Sequence, residues 1–239
     1  MSEVAVKERE SIVEMSDVFE EPVEQEKIIV KGNKCYEFFK RTFDVFSSGL
    51  AIILLSWLLL IIALLVKLTS NGPVLFKDRR VGKNGKIIKV YKFRSMYIDA
   101  ESRLDKYLTP EEMEIWKKEG KIDNDPRITK IGKFIRKTSL DELPQLFNIL
   151  GGSLSVVGPR PIKSLELELN YNEYQKSKLL SVKPGLTGYW QVYGRSNVSY
   201  ESGERQKLEL AYLPKRGFWF DLKIIILTIP AVLKSRGAQ

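Results

Sequence analysis

Leu50-Ala51-Ile52-Ile53-Leu54-Leu55-Ser56-Trp57-Leu58-Leu59-Leu60-Ile61-Ile62-Ala63-Leu64-Leu65-Val66 is the one long apolar run in this chain. As a helix it would rise about 25 Å, a little short of a hydrocarbon core of about 30 Å. Extended from Phe43 to Leu68 it is long enough to cross with tilt. A buried core helix has the same length, but no second run of this hydrophobicity stands ready to pack on it, so membrane insertion is the expectation. Lys31, Lys34, Lys40 and Arg41 precede the run, and Lys67, Lys77, Arg79 and Arg80 follow it. Positive charge stays on the cytoplasmic side. Both ends therefore ask for the same face, which a helix that dips in, bends and returns would satisfy.

Outside the run, the charge is unevenly spread. The 239 residues carry +9 overall, but residues 1–30 hold nine acids against three bases, and the remainder holds 36 bases against 21 acids. A basic body behind an acidic, aromatic-poor leader points to anionic partners, and the leader is expected to be disordered. There is no histidine, which removes the commonest general base and metal ligand. Cys35 is the only cysteine, so an intrachain disulfide and a cysteine zinc site are excluded. A metal, if used, should be a hard cation such as Mg²⁺. No nucleic acid is expected, because aromatics interleave with bases only at Tyr91-Lys92-Phe93-Arg94.

Downstream of Asn71-Gly72-Pro73, Val74 to Phe76 and Ile87 to Phe93 read as strands around the turn Gly82-Lys83-Asn84-Gly85. Asp99 to Lys118 reads as exposed helix, restarted at Pro110, and Ile128 to Lys137 as a short amphipathic segment. Pro159-Arg160-Pro161 makes a stiff loop. Glu166 to Leu180 reads as one helix, Lys183 to Gly188 as loop, Tyr189 to Tyr193 as strand and Glu204 to Tyr212 as helix. The apolar tail from Phe218 to Lys234 fits an interfacial helix or a core helix equally well.

Between these lies Arg136-Lys137-Thr138-Ser139-Leu140-Asp141-Glu142-Leu143-Pro144-Gln145-Leu146-Phe147-Asn148-Ile149-Leu150. The apolar spacing is helical, with Asp141 and Glu142 in the first turn. Ser139 to Glu142 fits a capping box, which explains one acid and not the other. A cap, a metal site, or a nucleophile beside a metal ligand all remain open. Carboxylates do form acyl phosphates, and attack on a diphosphate needs its charge offset by metal and bases. Arg79, Arg80, Lys92, Arg94, Arg136 and Arg160 are available for that.

The segments Pro73 to Gly82, Tyr91 to Met96, Ser139 to Asn148 and Val157 to Pro161, in this order, resemble the bacterial sugar transferases, the monotopic polyprenyl-phosphate hexose-1-phosphate transferases. Lys183 to Gly188 and Gly194-Arg195 fit the same pattern, which covers about residues 38–235. The resemblance implies transfer of a sugar-1-phosphate from a UDP-sugar to undecaprenyl phosphate, opening exopolysaccharide, capsule or O-antigen synthesis. It implies Asp141 as the nucleophile and Glu142 as the Mg²⁺ ligand, with Lys92, Arg136 and Arg160 around the phosphates. Arg79, Arg80, Arg195 and Asp221 complete the expected substrate-binding set. Family members of the minimal type usually carry Ser-Pro midway through the membrane helix. Here the pair is Ser56-Trp57, and Trp imposes no kink, so re-entrant and spanning forms stay open on this point.

The expected fold is α+β and mainly helical. It has a leader over 1–30, a membrane-inserted helix over 38–70 and a cytosolic catalytic domain with short strands over 71–235, ending in an interfacial helix. The expected location is the inner (cytoplasmic) membrane, the catalytic domain facing the cytoplasm in contact with membrane lipid. A non-catalytic adaptor that binds anionic lipid through the basic face is the alternative.

Overall fold

In a computed structural model of the chain, residues 28–100, 102–119, 122, 124–194, 200 and 202–233 are described. The leader lies outside these apart from its last three residues. The apolar run forms two helices, α1 (Lys34–Leu54) and α2 (Ser56–Thr69). The side chain of Asn33 caps α1, accepting the N–H of Tyr36 at 2.8 Å. The pair bends by 65° at Leu55, so the bend forms without proline. Across the break the backbone keeps Leu55 N–H to Ala51 O and Leu59 N–H to Leu55 O, and Trp57 falls in the first turn of α2, whose N–H groups have no acceptor within their own helix. The hydroxyl of Ser56 donates to Ile53 O at 2.8 Å, adding a side-chain bond beside the bend. Among the described residues no single helix is long and apolar enough to cross a membrane, while the bent pair passes by length and composition.

Strands β1 (Leu75–Val81) and β2 (Ile87–Phe93) pair antiparallel, Leu75 opposite Phe93 and Val81 opposite Ile87. The turn falls where Gly82-Lys83-Asn84-Gly85 places it, with Asn84 and Gly85 both at positive φ. Then come α3 (Leu104–Tyr107), α4 (Pro110–Glu119), α5 (Lys130–Lys137), α6 (Gln145–Leu150) and β3 (Ser155–Val157). The single helix expected over Glu166 to Leu180 is two, α7 (Ser164–Asn170) and α8 (Glu173–Leu179). Asn172 breaks it by capping α8, accepting the N–H of Gln175 at 2.9 Å.

Two further expectations are exchanged. Gly185–Thr187, read as loop, is strand β4, parallel to β3. Tyr189–Tyr193, read as strand, is helix α9. Tyr189 packs one helical turn from Tyr193 at 4.4 Å and against Phe220 at 5.8 Å, so tertiary packing overrides aromatic β-propensity. A Cβ on Gly185 would lie 2.1 Å from the backbone nitrogen of Gly158, so the β3–β4 contact demands glycine there. The chain ends in α10 (Glu204–Ala211) and α11 (Phe218–Leu233). The tail packs one face on the body: Ile224 is buried in the core, while Trp219, Ile226 and Ile229 are exposed.

Buried polar contacts fasten α1 to the body. Asp44, 2% exposed, accepts the N–H of Val156 at 2.9 Å and the hydroxyl of Ser155 at 3.1 Å. Arg41 donates to the carbonyls of Ile149 and Leu150 at 2.7 and 2.8 Å, closing the C-terminal end of α6. One apolar cluster (Ile62, Val66, Phe93, Ile135) joins α2, β2 and α5. A second (Val90, Leu146, Ile149, Leu154) joins β2 and α6 to the approach of β3. The segment carrying the paired acids lies between them.

Candidate active site

Asp141 and Glu142 occupy a 3-10 turn, Leu140–Glu142, before α6. This corrects the expectation of one helix starting at Ser139. Ser139 sits at φ 56°, in the left-handed region, and its side chain caps nothing, so the capping box does not form. Pro144 then precedes the first residue of α6. The left-handed Ser139 turns the chain sharply out of α5 and presents both acids at one corner.

Two basic residues reach that corner. Lys92, from β2, donates to Glu142 Oε1 at 2.7 Å. Arg136, from the last turn of α5, donates through Nε to the Ser95 hydroxyl at 2.8 Å. Among the described residues its two terminal nitrogens have no hydrogen-bond acceptor. Ser95 is held by its own carbonyl, which accepts the N–H of Thr129 at 3.0 Å. A Cβ on Gly132 would lie 1.9 Å from that carbonyl oxygen, so only glycine lets α5 approach. Burial and the neighbouring Glu142 push the Asp141 carboxyl up to about 6, against the pull of Lys92 and Arg136. Burial draws the Arg136 guanidinium below its usual value while Asp141 and Asp125 oppose the shift. Half-buried, charged at neutral pH and flanked by two cations, Asp141 can act as a nucleophile toward an electrophile whose negative charge those cations share.

The donor set also suits Mg²⁺. It is all oxygen, and no third acid joins Asp141 and Glu142 among the described residues. One or two carboxylates beside substrate phosphates are what Mg²⁺ commonly uses.

The remaining expected residues make contacts of their own. Arg160 stacks over Trp190, its guanidinium carbon 5.3 Å from the ring, and Arg205 stacks on the same indole at 4.5 Å. Glu166 and the fully buried Glu209 complete this second cluster. Arg160 is not among the charges that bear most on Asp141. Arg80 pairs with Asp78 at 2.6 Å and Glu166 at 3.7 Å, while Arg79 is exposed on β1. Arg94 caps the end of α2 through Ser70 O and Asn71 O, at 2.6 and 2.9 Å. Asp221 is held in a buried clamp, accepting Tyr36 at 2.8 Å, Lys40 at 2.6 Å and Tyr212 at 2.9 Å. Arg195 lies outside the described residues.

Two contributors escaped the sequence reading. Asn148 accepts the N–H of Tyr91 at 2.8 Å and donates to Lys89 O at 2.7 Å, splinting α6 to the edge of β2 beside Lys92. An amide inside an otherwise apolar helix face was the available signal. The buried ion pair of Arg127 with Asp125, at 2.6 Å, backs Arg136.

Residues 35–235 match the profile of the bacterial sugar transferase family. The chain is 44% identical over 201 residues to the exopolysaccharide production protein ExoY of Rhizobium meliloti, covering 83% of this chain and 87% of that one. It is 45% identical over 204 residues to the undecaprenyl-phosphate galactose phosphotransferase of Salmonella typhimurium, covering 84% and 42%. It is 42% identical over 200 residues to the UDP-glucose:undecaprenyl-phosphate glucose-1-phosphate transferase of Klebsiella pneumoniae, covering 80% and 39%. The chain thus spans most of the first relative and less than half the length of the other two.

Proposed function

The chain belongs to the bacterial sugar transferase family, and from that premise we propose that it moves a sugar-1-phosphate from a UDP-sugar to undecaprenyl phosphate. The names of its relatives support the two substrates. The observation that carries the mechanism is Asp141, half-buried between Lys92 and Arg136. An oxygen of Asp141 attacks the β-phosphorus, the bond from that phosphorus to the bridging oxygen breaks, and UMP leaves with the electron pair. An oxygen of the lipid phosphate then attacks the same phosphorus. The bond to Asp141 breaks, restoring the carboxylate and giving a sugar linked to the lipid through a diphosphate. Both attacking groups are already anionic, so a chain without histidine needs no general base for either step.

Arg136 and Lys92 orient the phosphates and offset their charge. Mg²⁺ held by Glu142 would supply further neutralisation of the diphosphate. Arg160, on the Trp190 platform, is assigned to donor binding on the family pattern. The bent helix pair is placed in the cytoplasmic membrane as a re-entrant hairpin, with the catalytic body on the cytoplasmic side. The exposed Leu60, Leu64 and Leu68 of α2 and the exposed Phe218 and Trp219 of α11 support this.

Purified protein given UDP-sugar and Mg²⁺ is expected to release UMP and to retain labelled sugar phosphate in a hydroxylamine-labile bond. Asp141→Asn should lower both by at least about a thousandfold. Full activity in that variant would refute the covalent step.

A further inference from the structure

We propose that the groove between α1 and the start of α11 holds an anionic glycerophospholipid of the bilayer, its phosphate at the N-terminus of α1 and its chains along the phenylalanines beyond. The site rests on the membrane placement of α1 proposed above and not on the transfer chemistry.

The groove is open and encloses about 840 Å³. Lys31, Asn33 and Arg216 line one end, and Phe39, Phe43, Phe46 and Phe218 the other. Arg216 is 5% exposed. Its terminal nitrogens donate to Lys31 O at 3.1 Å and to Glu37 at 2.5 Å, but its Nε is buried with no acceptor. Such an orphaned donor costs about 1–3 kcal/mol, and a phosphate or ester oxygen would satisfy it. The 21-residue α1 also begins here. Asn33 takes the N–H groups of Tyr36 and Glu37, leaving those of Lys34 and Cys35 without a partner among the described residues. A helix dipole, a buried guanidinium and Lys31 thus converge on one end, against the carboxylate of Glu37, while Asp221 behind Tyr36 is paired with Lys40.

The other end is apolar and open: Phe39, Phe46 and Phe218 are all more than half exposed. A two-ended site, cationic then aromatic, matches a lipid headgroup followed by its chains. Cys35, Phe39, Thr42 and Phe46 recur at helical spacing on one face of α1. Arg41, Asp44 and Ser48 lie on the opposite face, where Arg41 and Asp44 hold α6 and β3. The groove therefore turns away from the elements that carry Asp141, which separates this lipid from the acceptor lipid of the reaction.

Cys35 lines the groove, is exposed and is the only cysteine, so it reports occupancy directly. The full chain is placed in nanodiscs of phosphatidylcholine alone or mixed with phosphatidylglycerol, and Cys35 is alkylated with a neutral maleimide. Phosphatidylglycerol is expected to slow the reaction about tenfold, as nine-tenths occupancy would. Lys31→Glu, a change at an exposed side chain, should abolish the protection. Phe38→Cys in a Cys35→Ser background, at a position that does not line the groove, should react equally in both discs. Equal rates at Cys35, or equal slowing at position 38, overturn the site. So does protection by undecaprenyl phosphate and not by phosphatidylglycerol, which gives the groove to the acceptor. Protection that rises with the number of chains per disc overturns it in favour of a second copy. A chain that does not enter discs at all overturns the membrane placement and this site together.

Discussion

Glu209 is an acid shut inside the fold. Its side chain is fully buried, Tyr171 donates to it at 2.8 Å, and the nearest Arg205 nitrogen is 3.6 Å away. Burial pushes its carboxyl up from 4.5 to about 7, outweighing the pull of Tyr171, Arg205 and Arg160, with Glu166 adding to the rise. A raised pKa means that the folded state holds the proton more tightly. The stabilisation is full below the ordinary value and is lost as pH rises through about 7. Between pH 5 and 8 the stability of the wild type relative to Glu209→Gln should therefore fall, by at most about 3 kcal/mol. Denaturant unfolding at the two pH values checks this, and an unchanged difference would place a charged Glu209 in the fold at both. In the sequence Glu209 looks like one more charge on a surface helix, and nothing local marks it as buried. The acids at Asp141 and Glu142 were legible because two adjacent carboxylates exceed what a cap requires. Their 3-10 turn was not, because it depends on the left-handed backbone of Ser139. The stacking of Arg160 on Trp190 is set by long-range packing that no local pattern encodes.

Among the elements, the hairpin was the most legible, since Asn84-Gly85 supplies the positive φ that such a turn requires. Helix α9 was the least, because Tyr, Trp and Val favour a strand until Phe220 is brought against them. The bend between α1 and α2 forms without the proline that is usual there, with the Ser56 hydroxyl donating to Ile53 O beside it. Since Trp57 is the second residue of α2, in the first turn where an N–H has no acceptor within the helix, Trp57→Pro should be accommodated, with turnover within about threefold of the wild type. Cysteines placed at Lys31 and Lys77 should both stay reactive from the cytoplasmic side of sealed vesicles. Loss of folding in this variant, or one flank moving to the far side, would mean that the helices run straight through.

At the scale of the whole molecule, one carboxylate ties α1 to the C-terminal helices. Asp221 joins α11 to α1 through Tyr36 and Lys40 and to the end of α10 through Tyr212. Asp221→Asn leaves Lys40 nearly buried beside a neutral partner, a change that costs about 3–5 kcal/mol when a buried pair is broken. The variant should lose thermal stability sharply while the surviving folded enzyme keeps its KM for the UDP-sugar. A raised KM with unchanged stability would instead put this carboxylate in contact with substrate. The grip of Arg41 on the last carbonyls of α6 carries the same logic to the reaction itself. Because α6 is six residues long, its far end stands about 9 Å from that grip. On the membrane placement proposed above, the depth at which the hairpin floats would fix the height of Asp141 above the headgroups, a built-in ruler that thinner or thicker bilayers should mis-set.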